Sequence, residues 1–167
     1  MRMTLTAMGL LAALALPGTA AAANMAEAML TDADGNAVGA VVLTQLPGGV
    51  SLHARLMGLP EGPHAFHVHA VGQCEAPFKS AGGHYNPKGA KHGLASEHGA
   101  HAGDMPNIHV PASGMLEIEV FNARLALDDN LFDADGAAIV IHAGPDDYNS
   151  DPAGAAGARI ACGVIQR

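Results

Sequence analysis

The chain has 167 residues, enough for one domain with a sizeable core. Acidic side chains outnumber basic ones sixteen to eight, for a formal charge of −8. That balance argues against a nucleic-acid partner, because phosphate binding wants a basic face.

The first 23 residues read as an export signal. Arg2 supplies the positive start, Ala7 to Leu16 (AMGLLAALAL) an uncharged apolar run, and Thr19 to Ala23 the small residues of a cleavage site. The run is too short to span a bilayer, and cleavage is expected near Ala23. A buried N-terminal helix is the alternative. No cysteine stands directly after the run to carry a lipid. No other long apolar stretch follows, so stable membrane insertion is not expected. Residues 24–167 are then the functional domain, periplasmic or secreted. It keeps seven basic against sixteen acidic side chains, a charge of −9.

Strand signals dominate that domain. Val50, Leu52, Ala54 and Leu56 alternate with Ser51, His53 and Arg55. Leu116, Ile118 and Val120 alternate with Glu117 and Glu119. Both patterns fit half-buried strands. Val38–Leu46, Ala137–His142 and parts of Arg159–Ile165 are more continuously apolar and β-branched. Turn residues fall at Asp34-Gly35-Asn36, Pro47-Gly48-Gly49 and Asp135-Gly136. Together these predict an all-β, antiparallel sandwich or barrel. Two segments break the pattern, from Gly72 to about Pro111 and from Ala143 to Ala158. Long irregular loops of this kind usually carry function.

Most of the ten histidines sit in or beside the first segment. His67 and His69 are two apart on an expected strand, so both imidazoles face the same way. His84, His92, His101 and Asp104 follow with gaps of 8, 9 and 3. Three imidazoles and a carboxylate complete a closed tetrahedral zinc shell. His142 ends an apolar run and reads either as a buried neutral histidine or as a ligand. With His67 and His69 it supplies a nitrogen-rich set that suits copper. Cys74 and Cys162 stand 88 residues apart. In an exported chain a disulfide is the default, with two buried thiols as the alternative.

The chain resembles the Cu/Zn superoxide dismutases, particularly secreted bacterial members. The stretches that carry the resemblance are His64-Ala-Phe-His-Val-His69, Ser80-Ala-Gly-Gly-His-Tyr-Asn-Pro87, Lys91-His-Gly93, His101-Ala-Gly-Asp-Met-Pro-Asn-Ile108, Val140-Ile-His-Ala143 and Gly157-Ala-Arg-Ile-Ala-Cys-Gly-Val164. They run in family order over nearly all of residues 24–167.

The resemblance implies a Greek-key β-sandwich or barrel with two long functional loops, and one copper and one zinc ion per subunit. His67, His69, His84 and His142 match the copper ligands. His84, His92, His101 and Asp104 match the zinc ligands, so His84 is the bridge. Asp146 matches a carboxylate behind the ligands that links the two sites. Arg159 matches the active-site arginine, and Cys74 and Cys162 match the intrasubunit disulfide. His64 matches a structural histidine, while His53, His98 and His109 match no ligand.

The implied reaction converts two superoxide anions and two protons to dioxygen and hydrogen peroxide by alternating reduction and oxidation of the copper. Arg159 and His84 are its expected catalytic residues. Family members occur as monomers and homodimers, and both remain open for this chain. Global charge cannot attract an anionic substrate here, so local cations must. Arg159, Lys79, Lys88 and Lys91 are the candidates, because the second loop contains no Lys or Arg. A non-catalytic copper or zinc buffer on the same scaffold, or a plain β-sandwich, are the rival readings.

Overall fold

The computed structural model describes residues 24–167; the expected export signal, 1–23, lies outside them. Nine strands form among the described residues: β1 (Met25–Asp32), β2 (Ala37–Leu46), β3 (Gly49–Leu56), β4 (Gly62–His64), β5 (Phe66–His69), β6 (Ile108–Val110), β7 (Leu116–Asn122), β8 (Ala138–His142) and β9 (Arg159–Gln166). One short 3-10 turn covers Lys79–Ala81. No described helix is long and apolar enough to cross a membrane.

Seven strands make one sheet in the order β5-β8-β9-β1-β2-β3-β7, and β4 pairs with β6. Every ladder is antiparallel. Within the sheet, β1, β2 and β3 form a meander, and the last strand, β9, returns to lie beside β1. The sheet curls, so that Leu30, Leu43, Leu52, Phe66, Ile108 and Ile139 from six strands share one buried cluster. Each such side chain contributes on the order of 1.5–3 kcal/mol when fully buried.

Burial explains the two kinds of sequence pattern. On β3, Leu52, Ala54 and Leu56 face the core while Arg55 is exposed. On β8 every residue is buried. Ile139 and Ile141 join the main cluster, while Ala138 and Val140 lie under Phe78, Ala81 and Cys162. The first long loop therefore covers the outer face of β8, which is why that strand reads as a continuous apolar run.

Three strands depart from the sequence reading. The alternation did not mark β1 and β4, and β6 lies inside the first segment expected to be irregular. Six of the eight residues of β1 are Ala, Glu, Met or Leu, all good helix formers, and its pairing with β2 and β9 overrides that preference. The second segment, Ala143–Ala158, holds no strand or helix, as expected.

Two ties fix the first loop to β9. Cys74 and Cys162 form a disulfide. In the chain-entropy model a closed loop of 88 residues is worth roughly 4–5 kcal/mol. Three residues before Cys162, Arg159 donates from one guanidinium nitrogen to Phe78 O and from the other to Gly82 O, both at 2.6 Å.

Candidate metal centre

On β5, Phe66 and Val68 point into the core, so His67 and His69 face the opposite way. β5 pairs with β8, whose last residue is His142. The first loop then folds back along β5. Val68 N–H donates to Gly103 O, and Tyr85 N–H donates to Val68 O. These contacts set His84 beside His69 and Asp104 beside His67.

Two clusters result. His67, His69, His84 and His142 each bring one ligand atom within 4.8 Å of the others, and so do His84, His92, His101 and Asp104. His84 belongs to both. All seven residues are buried. His53, His98 and His109 lie outside both clusters. His64 does too, and bonds instead to the carbonyls of His142 and Pro60.

The partners of each ring fix its protons. His69 Nδ1 donates to Gly82 O at 3.0 Å, and His142 Nδ1 faces Gly157 O at 3.4 Å. Their Nε2 atoms therefore carry lone pairs, and these lie 3.4 Å apart. His67 Nε2 donates to Asp146 Oδ2 at 2.7 Å, which leaves Nδ1 as the lone-pair atom. His67 Nδ1 is buried without a partner, and so is His84 Nε2. With the His84 proton on Nδ1, facing Asp104, four imidazole lone pairs converge on one point.

The second cluster has the same character. His92 Nε2 donates to Asp146 Oδ1 at 3.0 Å, so its Nδ1 presents a lone pair 3.2 Å from Asp104 Oδ1. His84 Nδ1 lies 2.8 Å from the same oxygen and 3.4 Å from His101 Nδ1. Asp104 Oδ2 is held by the N–H groups of Gly93 and His101. With its proton on Nδ1, His84 donates to Asp104, and a cation in place of that proton would draw on the same carboxylate and on the His92 lone pair beside it. The donor chemistry fits a nitrogen-seeking metal in the first cluster and zinc in the second.

Burial sets the protonation chemistry. It pushes the His69 imidazole down to about 2 and that of His142 to about 3. Burial also lowers His67, against the pull of Asp146, and lowers His101. These rings are neutral at ordinary pH, the form a metal needs. For Asp146, burial acts to raise the pKa, but hydrogen bonds from His67, His92 and Tyr148 N–H outweigh it and hold it at about 2. The same contest holds Asp104 well below the usual carboxylate range, through His84 and Gly93 N–H.

The second loop supplies Asp146 and closes over the site. A cavity of about 450 Å³, lined by His142, Asp151, Ala153 and Gly157 among others, lies beside the first cluster at His142. A groove of about 540 Å³ on the outer face of β1 and β9 is larger, but no histidine lines it. Gly154 has φ +63°, and a Cβ there would overlap Asp146 Oδ1. Lys91 is paired with Asp151 across the two loops at 3.0 Å, while Lys79 and Lys88 are exposed.

Sequence reasoning missed three parts of the site. The Gly82 and Gly157 carbonyls orient His69 and His142, yet a backbone acceptor leaves no signature in residue type. Asn107, whose side chain bonds both main-chain groups of Asp146, lies within a stretch that carries the resemblance, but nothing in its spacing separates it from its neighbours.

The family described as copper/zinc superoxide dismutase matches residues 37–165. A curated relative from Aquifex aeolicus, "Superoxide dismutase [Cu-Zn] 2", is 48% identical over 147 residues, covering 84% of this chain and 86% of that protein. Among solved structures, a double mutant of a SOD-like protein from Bacillus subtilis aligns with a TM-score of 0.81 and 36% identity, covering 84% of this chain and 97% of that one. The Cu/Zn superoxide dismutase from Brucella abortus aligns with a TM-score of 0.72 and 31% identity, covering 85% of this chain and 99% of that one.

Proposed function

The chain belongs to the copper/zinc superoxide dismutase family, and on that premise we propose how its residues divide the work of the two metals. It is an oxidoreductase that binds copper and zinc and converts superoxide to dioxygen and hydrogen peroxide. His67, His69, His84 and His142 hold the copper. His84, His92, His101 and Asp104 hold the zinc. Copper supplies the one-electron exchange with superoxide, while zinc, which has no redox chemistry, supplies charge and order.

The observation that carries this assignment is His84. It is the one residue in both clusters, and its two ring nitrogens have different surroundings. Nδ1 faces Asp104, whereas Nε2 is buried with no protein partner. Nε2 is therefore the atom that takes up and releases a proton during turnover, while the zinc side keeps the ring in place. Asp146 holds the outer nitrogens of His67 and His92 and so ties the two ligand sets together.

Arg159 is the cation that receives the superoxide anion. It sits where its charge acts on both His69 and His142. Lys79, Lys88 and Lys91 on the first loop supply weaker guidance. Export to the periplasm or the cell exterior is the reading that the sequence of residues 1–23 supports, and it accords with the Cys74–Cys162 disulfide. N-terminal sequencing of the exported chain checks the boundary near Ala23.

Metal analysis with a dismutase assay tests the whole reading. One copper and one zinc per chain with full activity are expected. Both metals without activity would favour a metal buffer.

A further inference from the structure

Beyond the ligands, the carboxylate of Asp146 must point at two rings at once. Its oxygens lie 2.7 Å from His67 Nε2 and 3.0 Å from His92 Nε2. Yet Asp146 sits on an irregular loop, which by itself would aim it poorly. Something must hold the loop at that point.

Three residues form a closed ring of hydrogen bonds around it. Asn107 N–H donates to Tyr148 Oη at 2.7 Å. Tyr148 N–H donates to Asp146 Oδ1 at 2.7 Å. Asp146 N–H donates to Asn107 Oδ1 at 2.8 Å. A fourth bond, from Asn107 Nδ2 to Asp146 O at 2.9 Å, makes the asparagine grip both main-chain groups of Asp146. An aspartate at 107 would meet the Asp146 carbonyl with an oxygen, and an alanine would make neither bond.

Asn107 is itself well anchored. It lies three residues after Asp104 and directly before β6, which pairs with β4. Tyr148 is fixed from the other side. Its φ is +63°, and its carbonyl accepts Ala95 N–H. The ring thus joins the zinc end of the first loop to the second loop.

We propose that Asn107, with Tyr148, is a positioning residue that aims the Asp146 carboxylate at His67 and His92, and so sets zinc affinity without touching the metal. This rests on the reading of Asp146 given above. The clasp acts only through that carboxylate, so its effect depends on the carboxylate being there. A residue that merely steadied the fold would matter with or without it.

The test is a double-mutant cycle on the disulfide-intact chain, with Zn²⁺ affinity measured by competition against a chelator. Asn107→Ala is expected to weaken Zn²⁺ binding by about ten- to a hundredfold, the usual range for residues behind a ligand. In an Asp146→Ala background the same change is expected to cost no further affinity. Tyr148→Phe removes the phenolic oxygen that accepts Asn107 N–H and carries the same test should Asn107→Ala not fold. It is expected to give a smaller loss that also vanishes without the carboxylate. Wild-type affinity in Asn107→Ala, or an equal loss in both backgrounds, would overturn the proposal while leaving the role of Asp146 intact. Wild-type affinity in Asp146→Ala would overturn the reading of Asp146 and this proposal with it.

Discussion

Arg159 and His69 share one acceptor. The Gly82 carbonyl takes a bond from the guanidinium at 2.6 Å and another from His69 Nδ1 at 3.0 Å. One peptide group therefore orients both a ring of the first cluster and the cation proposed to receive the substrate. Arg159 also donates to Phe78 O, so its planar fork spans the turn between Phe78 and Gly82.

This geometry separates charge from shape at position 159. Arg159→Ala removes both, and kcat/KM is expected to fall by about tenfold or more, with a flatter dependence on ionic strength. Arg159→Lys keeps the charge but cannot bridge the two carbonyls. It is expected to fall between wild type and alanine. Equal rates in all three chains would remove Arg159 from substrate guidance.

The lysines of the first loop are not equivalent. Lys91 faces Asp151, a residue lining the cavity at His142. Lys91→Gln unmasks that carboxylate and should lower kcat/KM, whereas Asp151→Asn should raise it. Both effects should shrink as salt is added. Replacing Lys79, Lys88 and Lys91 together should lower the rate further and flatten its salt dependence. An unchanged salt dependence in the triple variant would remove these lysines from guidance of the anion.

Metal-free protein should be acid-sensitive. His69 and His142 titrate at about 2 and about 3 in the fold, against about 6.5 in an unfolded chain. Above about pH 6.5 neither state holds these protons and stability is unaffected. Below it, the unfolded chain binds protons that the fold refuses, so stability falls. The loss approaches about 1.4 kcal/mol per pH unit for each group. Denaturant titrations of the metal-free chain should show a drop of about 4 kcal/mol for the pair between about pH 7.5 and pH 5. Stability that holds or rises over that interval would contradict the burial of these rings as neutral species.

The sequence made some of this legible and hid the rest for physical reasons. Ligand residues have distinctive types, so His67, His69, His84, His92, His101, Asp104 and His142 stood out once matched to a family pattern. Strands with one face in water, such as β3, announced themselves by alternation. β1 did not, because its inward residues are Ala26, Ala28 and Leu30 and its composition favours helix. The carbonyls of Gly82 and Gly157 were invisible, since every residue has a carbonyl. Asn107 acts by where β6 begins, which spacing alone does not reveal.

The central claim is that His84 is shared between the two metals, and the most direct measurement is the copper and zinc content of ligand variants after equilibration with both ions. His142→Gln should lose copper and keep zinc. His101→Gln should weaken zinc and leave the copper set intact. His84→Gln should weaken both in one substitution. Loss of a single metal, or of neither, in His84→Gln would contradict the bridge.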